Sequence, residues 1–422
     1  MTPTPRAAAL LGALAVAALF VPLPLAGLAA VALVAAAAVD ARAARHAPSV
    51  TRELPSVLAR GVPTPLTVRI VAAAAVRVRL RQSVPPDMRL EPREGEGGLD
   101  ARLVPRRRGR HELPRVGTRT IGPLGLAGWH HEPGEPAQVA VFPDLLAARR
   151  LALSVRQGRF RDQGISARGP LGLGTEFELV RDYLPDDDIR QVNWRATARL
   201  GRPMSNQYRT EQDRDVMLVL DAGRLSAAPL PAPDADGVRP TVLDACLDAL
   251  TAVALVADEV GDRCGAVAFD DEVRTVISPG RAQGAAVVRA LFDLEPCPVD
   301  SDYELAFRRV EGAKRAFVLV LADLLEAAAA RPLVEAMPVL TRRHAVVVAS
   351  PADPALAALA AKPPASEGEL AQAAVAVEVR AARTRAAALV RAAGAEVVEA
   401  PSDRLARACV TAYLRAKARA RL

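Results

Sequence analysis

An uncharged apolar run near the start of the chain limits the possible folds more than any other feature. No charged residue occurs between Ala7 and Val39. One membrane-spanning helix needs about 20 apolar residues, so this run is longer than a single span requires. Pro22 and Pro24 interrupt it, with Gly27 close behind, which favours two short helices joined by a hinge. We therefore expect a transmembrane hairpin within residues 1–45, with a single span as the alternative.

The charges at the two ends of this run predict its orientation. Arg6 precedes the run, and Arg42 and Arg45 follow it. Because positive residues remain on the cytoplasmic side of a membrane, both ends are expected in the cytoplasm. A secretory signal would have a shorter apolar core that ends in a cleavage site. We expect an uncleaved anchor in the cell membrane, with the bulk of the chain in the cytoplasm.

The net charge and the low aromatic content limit the kinds of molecule that the chain is expected to bind. The chain has 422 residues and a net charge of +7, and aromatic residues make up only 3% of it. Nucleic-acid binding requires basic residues gathered into a patch with aromatic residues between them, and no such stretch occurs. We therefore expect no nucleic-acid partner, and attraction to an anionic membrane surface explains the charge at least as well. The four cysteines are scattered, which predicts reduced thiols rather than a disulfide or zinc framework.

Residues 49–145 have the pattern of an all-β domain. Short alternating or β-branched runs are separated by turn-forming residues, as in 85–87 and 94–98. The strand candidates are Thr67–Val71, Val76–Leu80, Leu103–Pro105 and Gln138–Phe142. This spacing predicts a small immunoglobulin-like sandwich.

Residues 160–212 form a segment dense in polar and turn-forming residues. Its first part alternates as a half-buried strand does, and Pro185 ends that strand. We expect Asp187 or Asp188 to cap a helix over Arg190–Arg199, because a carboxylate stabilises the free N–H groups at a helix start. Trp194 lies on one face of that helix and is expected to be a packing residue.

This segment resembles the signature of the domain-of-unknown-function 58 family. One position departs from the family pattern, since Asp186 stands where the family usually has glycine. The matching residues are Gly172, Gly174, Glu176, Phe177, Arg181, Tyr183, Pro185, Asp187, Asp188, Arg190, Asn193, Trp194, Ala198 and Arg199.

Residues 213–422 alternate between strand and helix patterns. That order predicts a doubly wound parallel sheet. The expected strands are Val216–Asp221, Arg263–Phe269, Val273–Ile277, Ala316–Ala322, Ala345–Ala349 and Glu396–Val398. Ser350–Glu367, with its prolines and small residues, is expected to be a surface insertion or a disordered loop. The aspartates at two strand ends, Asp221 and Asp323, resemble those of a von Willebrand factor type A domain.

That resemblance implies a metal site, which the sequence matches only in part. An intact site would have serines two and four residues after Asp221, where this chain has Gly223 and Leu225. Ser301 and Asp323 are the other candidate ligands for Mg²⁺, which prefers oxygen atoms. Arg224 offers a permanent positive charge beside Asp221. We expect an Asp221–Arg224 ion pair and no cofactor, with bound Mg²⁺ as the alternative.

The sequence lacks the common catalytic motifs. It has no phosphate-binding Gly-x-x-x-x-Gly-Lys-Ser/Thr loop and no Gly-x-Ser-x-Gly nucleophile motif. We expect a non-enzymatic adaptor or scaffold at the membrane, with Asp221, Arg224 and Asp323 as candidate partner-binding residues. Proteins similar to this one are commonly encoded beside MoxR-type AAA+ ATPases, which implies such an ATPase as a partner, with the client protein unknown. A metal-dependent hydrolase that uses the aspartate-rich turn or the strand-end acids is one alternative, and a structural protein of the cell envelope is another.

Overall fold

The structure is a computed structural model of the chain. It describes residues 2–71, 76–162, 165–166, 176–184, 187, 189–209, 214–230, 239–311, 315–325 and 327–419. The chain divides into two compact units, Met1–Val141 and Phe142–Leu422.

Two helices begin the first unit, separated at the predicted hinge. They are α1 (Pro5–Ala17) and α2 (Leu23–Ala44). Thr4 caps α1 by accepting a hydrogen bond from the N–H of Ala7 at 3.3 Å. By length and composition α2 can cross a membrane. At about 1.5 Å per residue α1 is about 20 Å long, which is less than the hydrocarbon thickness.

The rest of the first unit is all-β, as the sequence predicts. Most of its strand pairs are antiparallel. The strands are β1 (Thr2–Pro3), β2 (Ser49–Glu53), β3 (Val57–Ala59), β4 (Thr64–Val71), β5 (Arg77–Gln82), β6 (Met88–Glu91), β7 (Glu94–Glu96), β8 (Gly98–Pro105), β9 (Gly109–Leu113), β10 (Val116–Ile121), β11 (Ala127–His131) and β12 (Ala137–Phe142). They form sheets in the orders β2-β4-β8-β6, β1-β11-β10-β5-β7 and β3-β12-β9. Alternating apolar residues such as Leu66, Val68, Leu80 and Leu103 fill the core between them.

The second unit begins with a helix and a polar segment. The helix is α3 (Leu145–Arg156), and the short strands β13 (Arg161–Asp162) and β14 (Ile165–Ser166) follow it. Next come β15 (Glu176–Asp182), α4 (Trp194–Leu200) and β16 (Met204–Arg209), and β15 pairs antiparallel with β16.

A six-stranded sheet forms the core of the second unit. Its strands are β17 (Asp215–Asp221), β18 (Arg263–Phe269), β19 (Val273–Arg281), β20 (Ala316–Leu321), β21 (Ala345–Ala352) and β22 (Glu396–Pro401). The helices are α5 (Val242–Glu259), α6 (Gly284–Leu291), α7 (Tyr303–Glu311), α8 (Ala327–Thr341), α9 (Pro354–Ala361), α10 (Glu367–Ala392) and α11 (Ser402–Ala418). Of the two alternatives for Ser350–Glu367, the disordered loop is wrong, because β21 runs to Ala352 and α9 follows.

The order of the strands determines where a site can form. The sheet runs β19-β18-β17-β20-β21-β22, and every neighbouring pair is parallel except β18 with the edge strand β19. The chain proceeds outward from β17 in one direction and from β20 in the other. Open α/β sheets bind their ligands at such a reversal point, beyond the carboxyl ends of the strands. The predicted site residues at the ends of β17 and β20 therefore lie where this architecture places sites.

Candidate functional site

Three buried aspartates lie at the carboxyl ends of adjacent strands. Asp221 ends β17, Asp270 follows β18, and Asp323 follows β20. Their residues are 4%, 1% and 5% exposed. Burial of an unpaired carboxylate costs several kcal/mol, so each must have donors around it. The partners of these carboxylates define the chemistry of the site.

Asp221 accepts hydrogen bonds on both of its oxygens from within the chain. Ser301 donates its hydroxyl to Oδ1, and the N–H of Gly223 donates to the same oxygen at 2.8 Å. The hydroxyl of Tyr303 donates to Oδ2 at 2.5 Å. Tyr303 is buried at the start of α7 and packs edge-on against Phe269. The acid is therefore enclosed by neutral donors from the 301–303 segment.

The geometry at Gly223 explains why the chain lacks a serine there. A Cβ atom at this position would collide with the hydroxyl of Ser301 and lie 2.9 Å from the carbonyl oxygen of Val299. The missing serine is thus a steric requirement of this packing. Ser301, which the sequence suggested as a distant ligand, occupies the space that a side chain at 223 would need.

Asp323 is paired with a cation that comes from a distant helix. Arg383 on α10 donates from Nη2 to Oδ1 of Asp323 at 3.0 Å, and from Nη1 to the carbonyl of Pro351 at 3.0 Å. Ser350 donates its hydroxyl to the same carboxylate oxygen at 3.3 Å. The arginine and aspartate side chains are only 15% and 2% exposed. This is a buried ion pair, in which each charge depends on the other.

Asp270 is held by a third set of donors. Arg274 donates from Nε to Oδ2 at 2.6 Å, and the N–H of Glu272 donates to Oδ1 at 3.0 Å. The carbonyl of Asp270 accepts from the N–H of Asp302, which ties this turn to the segment that carries Ser301.

The electrostatics follow from burial and these partners. Burial raises the pKa of Asp221, although the hydrogen bonds from Ser301 and Tyr303 oppose the rise. Burial also raises the pKa of Asp323, and the charge of Arg383 opposes it. The pKa of the Tyr303 phenol rises well above its ordinary value because the ring is buried and Asp221 is adjacent. Tyr303 therefore acts as a neutral hydrogen-bond donor.

The predicted pairing of Arg224 with Asp221 is wrong. Arg224 lies in a 3-10 helix over Arg224–Ala227 and donates from Nε to Asp300. These two side chains are 57% and 81% exposed, so the pair lies on the surface. Two other arginines pair with the strand-end acids: Arg383 contacts Asp323, and Arg274 contacts Asp270. Asp221 and Asp323 are buried, whereas Arg224 is accessible.

The donor set does not fit the Mg²⁺ site that the resemblance implies. Mg²⁺ requires near-octahedral oxygen coordination, and the positions of the two serines hold Gly223 and Leu225. The guanidinium of Arg383 adds a fixed positive charge at the second acid, which disfavours a nearby cation. Among the described residues, no three His, Cys, Asp or Glu side chains are grouped as metal ligands.

The signature segment differs from its prediction in the helix and its cap. The helix begins only at Trp194, and the side chain of Asn193 caps it by accepting from the N–H of Ala196 at 2.9 Å. Asp187 instead forms a two-pronged ion pair with Arg181 at 2.6 and 2.8 Å. That contact and the N–H of Leu184 lower the pKa of the Asp187 carboxyl.

The remaining signature residues are distributed as follows. Trp194 is 70% exposed, so the expected packing role is wrong. Tyr183 donates its hydroxyl to the carbonyl of Asp187 at 3.1 Å, and Ala198 and Arg199 are exposed on α4. Glu176 and Phe177 lie in β15, and Arg190 lies in a 3-10 helix over Ile189–Gln191. The described residues do not include Gly172, Gly174, Pro185 or Asp188.

Sequence reasoning missed Asp270, Tyr303 and Arg383. Asp270 follows β18 just as Asp221 ends β17, so the pattern of an apolar strand ending in an acid was a usable signal. Tyr303 and Arg383 gave no comparable signal, because they lie 82 and 60 residues from the acids that they bind.

Comparison with known proteins gives one family. A family model described as "Protein of unknown function DUF58" matches residues 179–396, which is about half of the chain. The matched range includes α4 and all three strand-end aspartates. No curated protein matches the chain.

Proposed function

The chain belongs to the DUF58 family, and from this premise we propose that it is a membrane-anchored binding protein rather than an enzyme. In this proposal α1 and α2 hold the chain in a membrane, with the second unit in the cytoplasm. The second unit is a von Willebrand factor type A-like domain that recognises another protein.

One observation carries the proposal for the second unit: both oxygens of Asp221 already accept hydrogen bonds from Ser301, Tyr303 and the backbone of Gly223. A catalytic carboxylate must reach a substrate, and a metal-binding one must offer lone pairs to the ion. A carboxylate that is enclosed in this way supports a structural role. It fixes the 299–303 segment at the carboxyl edge of the sheet.

The accessible part of this edge is the Arg224–Asp300 pair. The N–H of Arg224 donates to the carbonyl of Val299 at 2.8 Å, so both charged residues stand on backbone that the buried acid holds in place. Exposed charges of opposite sign, placed on a rigid edge, favour a partner with a complementary charge pattern. We propose that this pair contacts the partner and that Asp221 and Asp323 position it.

The proposed partner is a MoxR-type AAA+ ATPase, by the resemblance already described. This chain and the ATPase together would act on other proteins during the assembly or maturation of those proteins. The orientation follows from Arg6, Arg42 and Arg45, which flank the uncharged run Ala7–Val39.

Binding to that ATPase tests the proposal. The purified full chain is treated with a chelator, freed of it, and mixed with the ATPase at constant nucleotide and Mg²⁺. Binding should be unchanged by the treatment and should fall at least tenfold in Arg224→Asp and in Asp300→Arg. The double exchange should not restore the affinity, because it re-forms the ion pair with its charges reversed toward the partner.

A matched surface pair provides the control. Arg308 and Glu304 on α7 form an exposed pair like that of Arg224 and Asp300. The variant Arg308→Asp should leave binding unchanged. Stoichiometric Mg²⁺ in the purified protein, lost in Asp221→Ala, would instead support the metal-dependent alternative.

A further inference from the structure

The start of α1 and the end of α2 are hydrogen-bonded to one turn of the β domain. Three backbone N–H groups, those of Leu124, Leu126 and Ala127, donate to the carboxylate of Asp40 at 2.7, 2.6 and 2.8 Å. Just before α1, Thr4 donates its N–H to the carbonyl of Leu126 at 3.1 Å. Both ends of the helical pair are therefore fixed to the 122–128 turn.

The helices themselves present apolar side chains to their surroundings. The most exposed are at the junction of α1 and α2, where Leu19, Phe20 and Leu23 are 79%, 85% and 81% exposed. If this surface lies in hydrocarbon, as the proposed anchor requires, then the 122–128 turn lies at the level of the lipid headgroups. Leu124 in this turn is 52% exposed, so the apolar surface of the helices continues onto the turn.

Three arginines surround this turn. A Cβ atom on Gly125 would lie 3.2 Å from Nη1 of Arg6 and 3.5 Å from Nη2 of Arg77. A Cβ atom on Gly128 would lie 3.4 Å from Nε of Arg119. The guanidinium groups of Arg6 on α1 and Arg77 on β5 therefore meet at Gly125, and that of Arg119 on β10 lies beside Gly128, three residues further along the chain.

No described acid forms an ion pair with these arginines, although the carboxylate of Asp40 is bonded to the same turn. The Nε atom of Arg119 is buried without a hydrogen-bond partner among the described residues. The neighbouring strands add to the positive charge, because Arg119 stands directly opposite Arg79 in the β10–β5 pairing. Like charges in directly opposed positions destabilise a sheet, so an anion bound here would reduce the repulsion between these arginines.

We propose that Arg6, Arg77 and Arg119 form a binding site for the phosphate of an anionic membrane lipid. Guanidinium groups donate in a fixed fork that matches phosphate oxygens, which suits them to this ligand. A lipid is favoured over a free anion because the site is continuous with the apolar helices, so the acyl chains of a bound lipid would lie along α1 and α2. This proposal rests on the membrane anchor of the proposed function, and it adds a preference for lipid charge.

The test uses the full chain in micelles of a nonionic detergent. A phosphatidylglycerol with a fluorescent tail is titrated in, and binding is measured by fluorescence anisotropy. The phosphatidylcholine with the same tail is the neutral probe. The anionic lipid should bind more tightly, and the double variant Arg77→Gln, Arg119→Gln should lose on the order of tenfold in affinity for it, since each arginine at an anionic surface contributes a few-fold.

A matched pair of arginines on another sheet controls for net charge. Arg69 on β4 and Arg102 on β8 are exposed, and their double glutamine variant should bind both lipids as the unchanged chain does. Equal binding of the two lipids, or an equal loss in the control, would overturn the proposal. Displacement of the lipid by excess inorganic phosphate would assign the cluster to a free anion and would also overturn it.

Failure of the anchor is measured separately. The full chain should float with vesicles of phosphatidylcholine alone, and Phe20→Asp should abolish this. If the unchanged chain does not float, the anchor is wrong whatever the arginines bind. If it floats but shows no preference for the anionic probe, the anchor stands and the lipid site is rejected.

Discussion

The hydroxyl of Ser301 occupies the space into which a side chain on Gly223 would extend. The same hydroxyl donates to Asp221, so a single side chain both satisfies the buried acid and excludes a serine from position 223. The packing around Asp221 therefore depends on both Gly223 and Ser301, and a substitution of either residue alone is expected to destabilise the fold.

This coupling predicts a non-additive pair of substitutions. Gly223→Ser alone should destabilise the chain by about 1–3 kcal/mol, because the added atoms overlap with Ser301 and approach Val299. The double variant Gly223→Ser, Ser301→Gly should recover much of that loss, since it opens the space and returns a hydroxyl near Asp221. Hydrogen exchange of the β17 and β18 amides in the full chain measures the effect locally. Additive losses would contradict the coupling.

The Arg383–Asp323 pair predicts a large and pH-dependent loss. Arg383→Leu leaves a buried carboxylate without its cation and should cost about 3–5 kcal/mol at neutral pH. Burial already raises the pKa of Asp323, and loss of Arg383 removes a group that lowers it. The folded variant should therefore take up a proton at a higher pH than the unfolded chain does. Its deficit should shrink as the pH falls toward the ordinary aspartate value of 3.8, as measured by thermal unfolding across pH.

The exposed pair Arg308–Glu304 is the control for this prediction. Both side chains are more than half exposed, so Arg308→Ala should change stability by less than about 1 kcal/mol at any of these pH values. An Arg383→Leu variant with the same small effect would show that the buried pair contributes little.

The central sheet was predictable because its strands are apolar runs. Val216–Leu220 and Ala316–Leu321 are buried on both faces, as strands in a doubly covered parallel sheet must be. Their aspartates were visible for the same reason, since an acid after such a run marks the strand end. The helix at Pro354–Ala361 was missed because its proline suggested a loop, although proline is favourable in the first turn of a helix.

The contacts of the site were not predictable from local pattern. Sequence reasoning paired Asp221 with its near neighbour Arg224, whereas Asp221 accepts from neutral donors of the 301–303 segment and Arg383, on another helix, binds Asp323. The expected burial of Trp194 failed for a related reason: the spacing of residues on a helix face does not show whether that face meets another element. Such facts depend on how distant elements pack.

Exposure of Trp194 predicts a small effect on stability. Trp194→Ala should change the free energy of unfolding by no more than about 0.5 kcal/mol, as expected for a surface substitution without a special role. The full chain and the variant are compared by thermal unfolding, with Asn193→Ala measured alongside. Asn193→Ala removes the cap of α4 and should cost about 1 kcal/mol. A loss above about 3 kcal/mol for Trp194→Ala would mean that the ring is buried after all.

The attachment of Asp40 to the 122–128 turn predicts a local effect within the first unit. Asp40→Ala would leave three N–H groups without their acceptor, and those of Leu126 and Ala127 are buried, where an unpaired group costs about 1–3 kcal/mol each. The turn should therefore open more easily, and the amides of Leu124, Leu126 and Ala127 should exchange on the order of 100-fold faster or more in the full chain. Asp100→Ala is the matched control, because Asp100 is exposed and accepts only from the side chain of Thr67 among the described contacts. Unchanged exchange at the turn in Asp40→Ala would show that this carboxylate does not hold the anchor to the β domain.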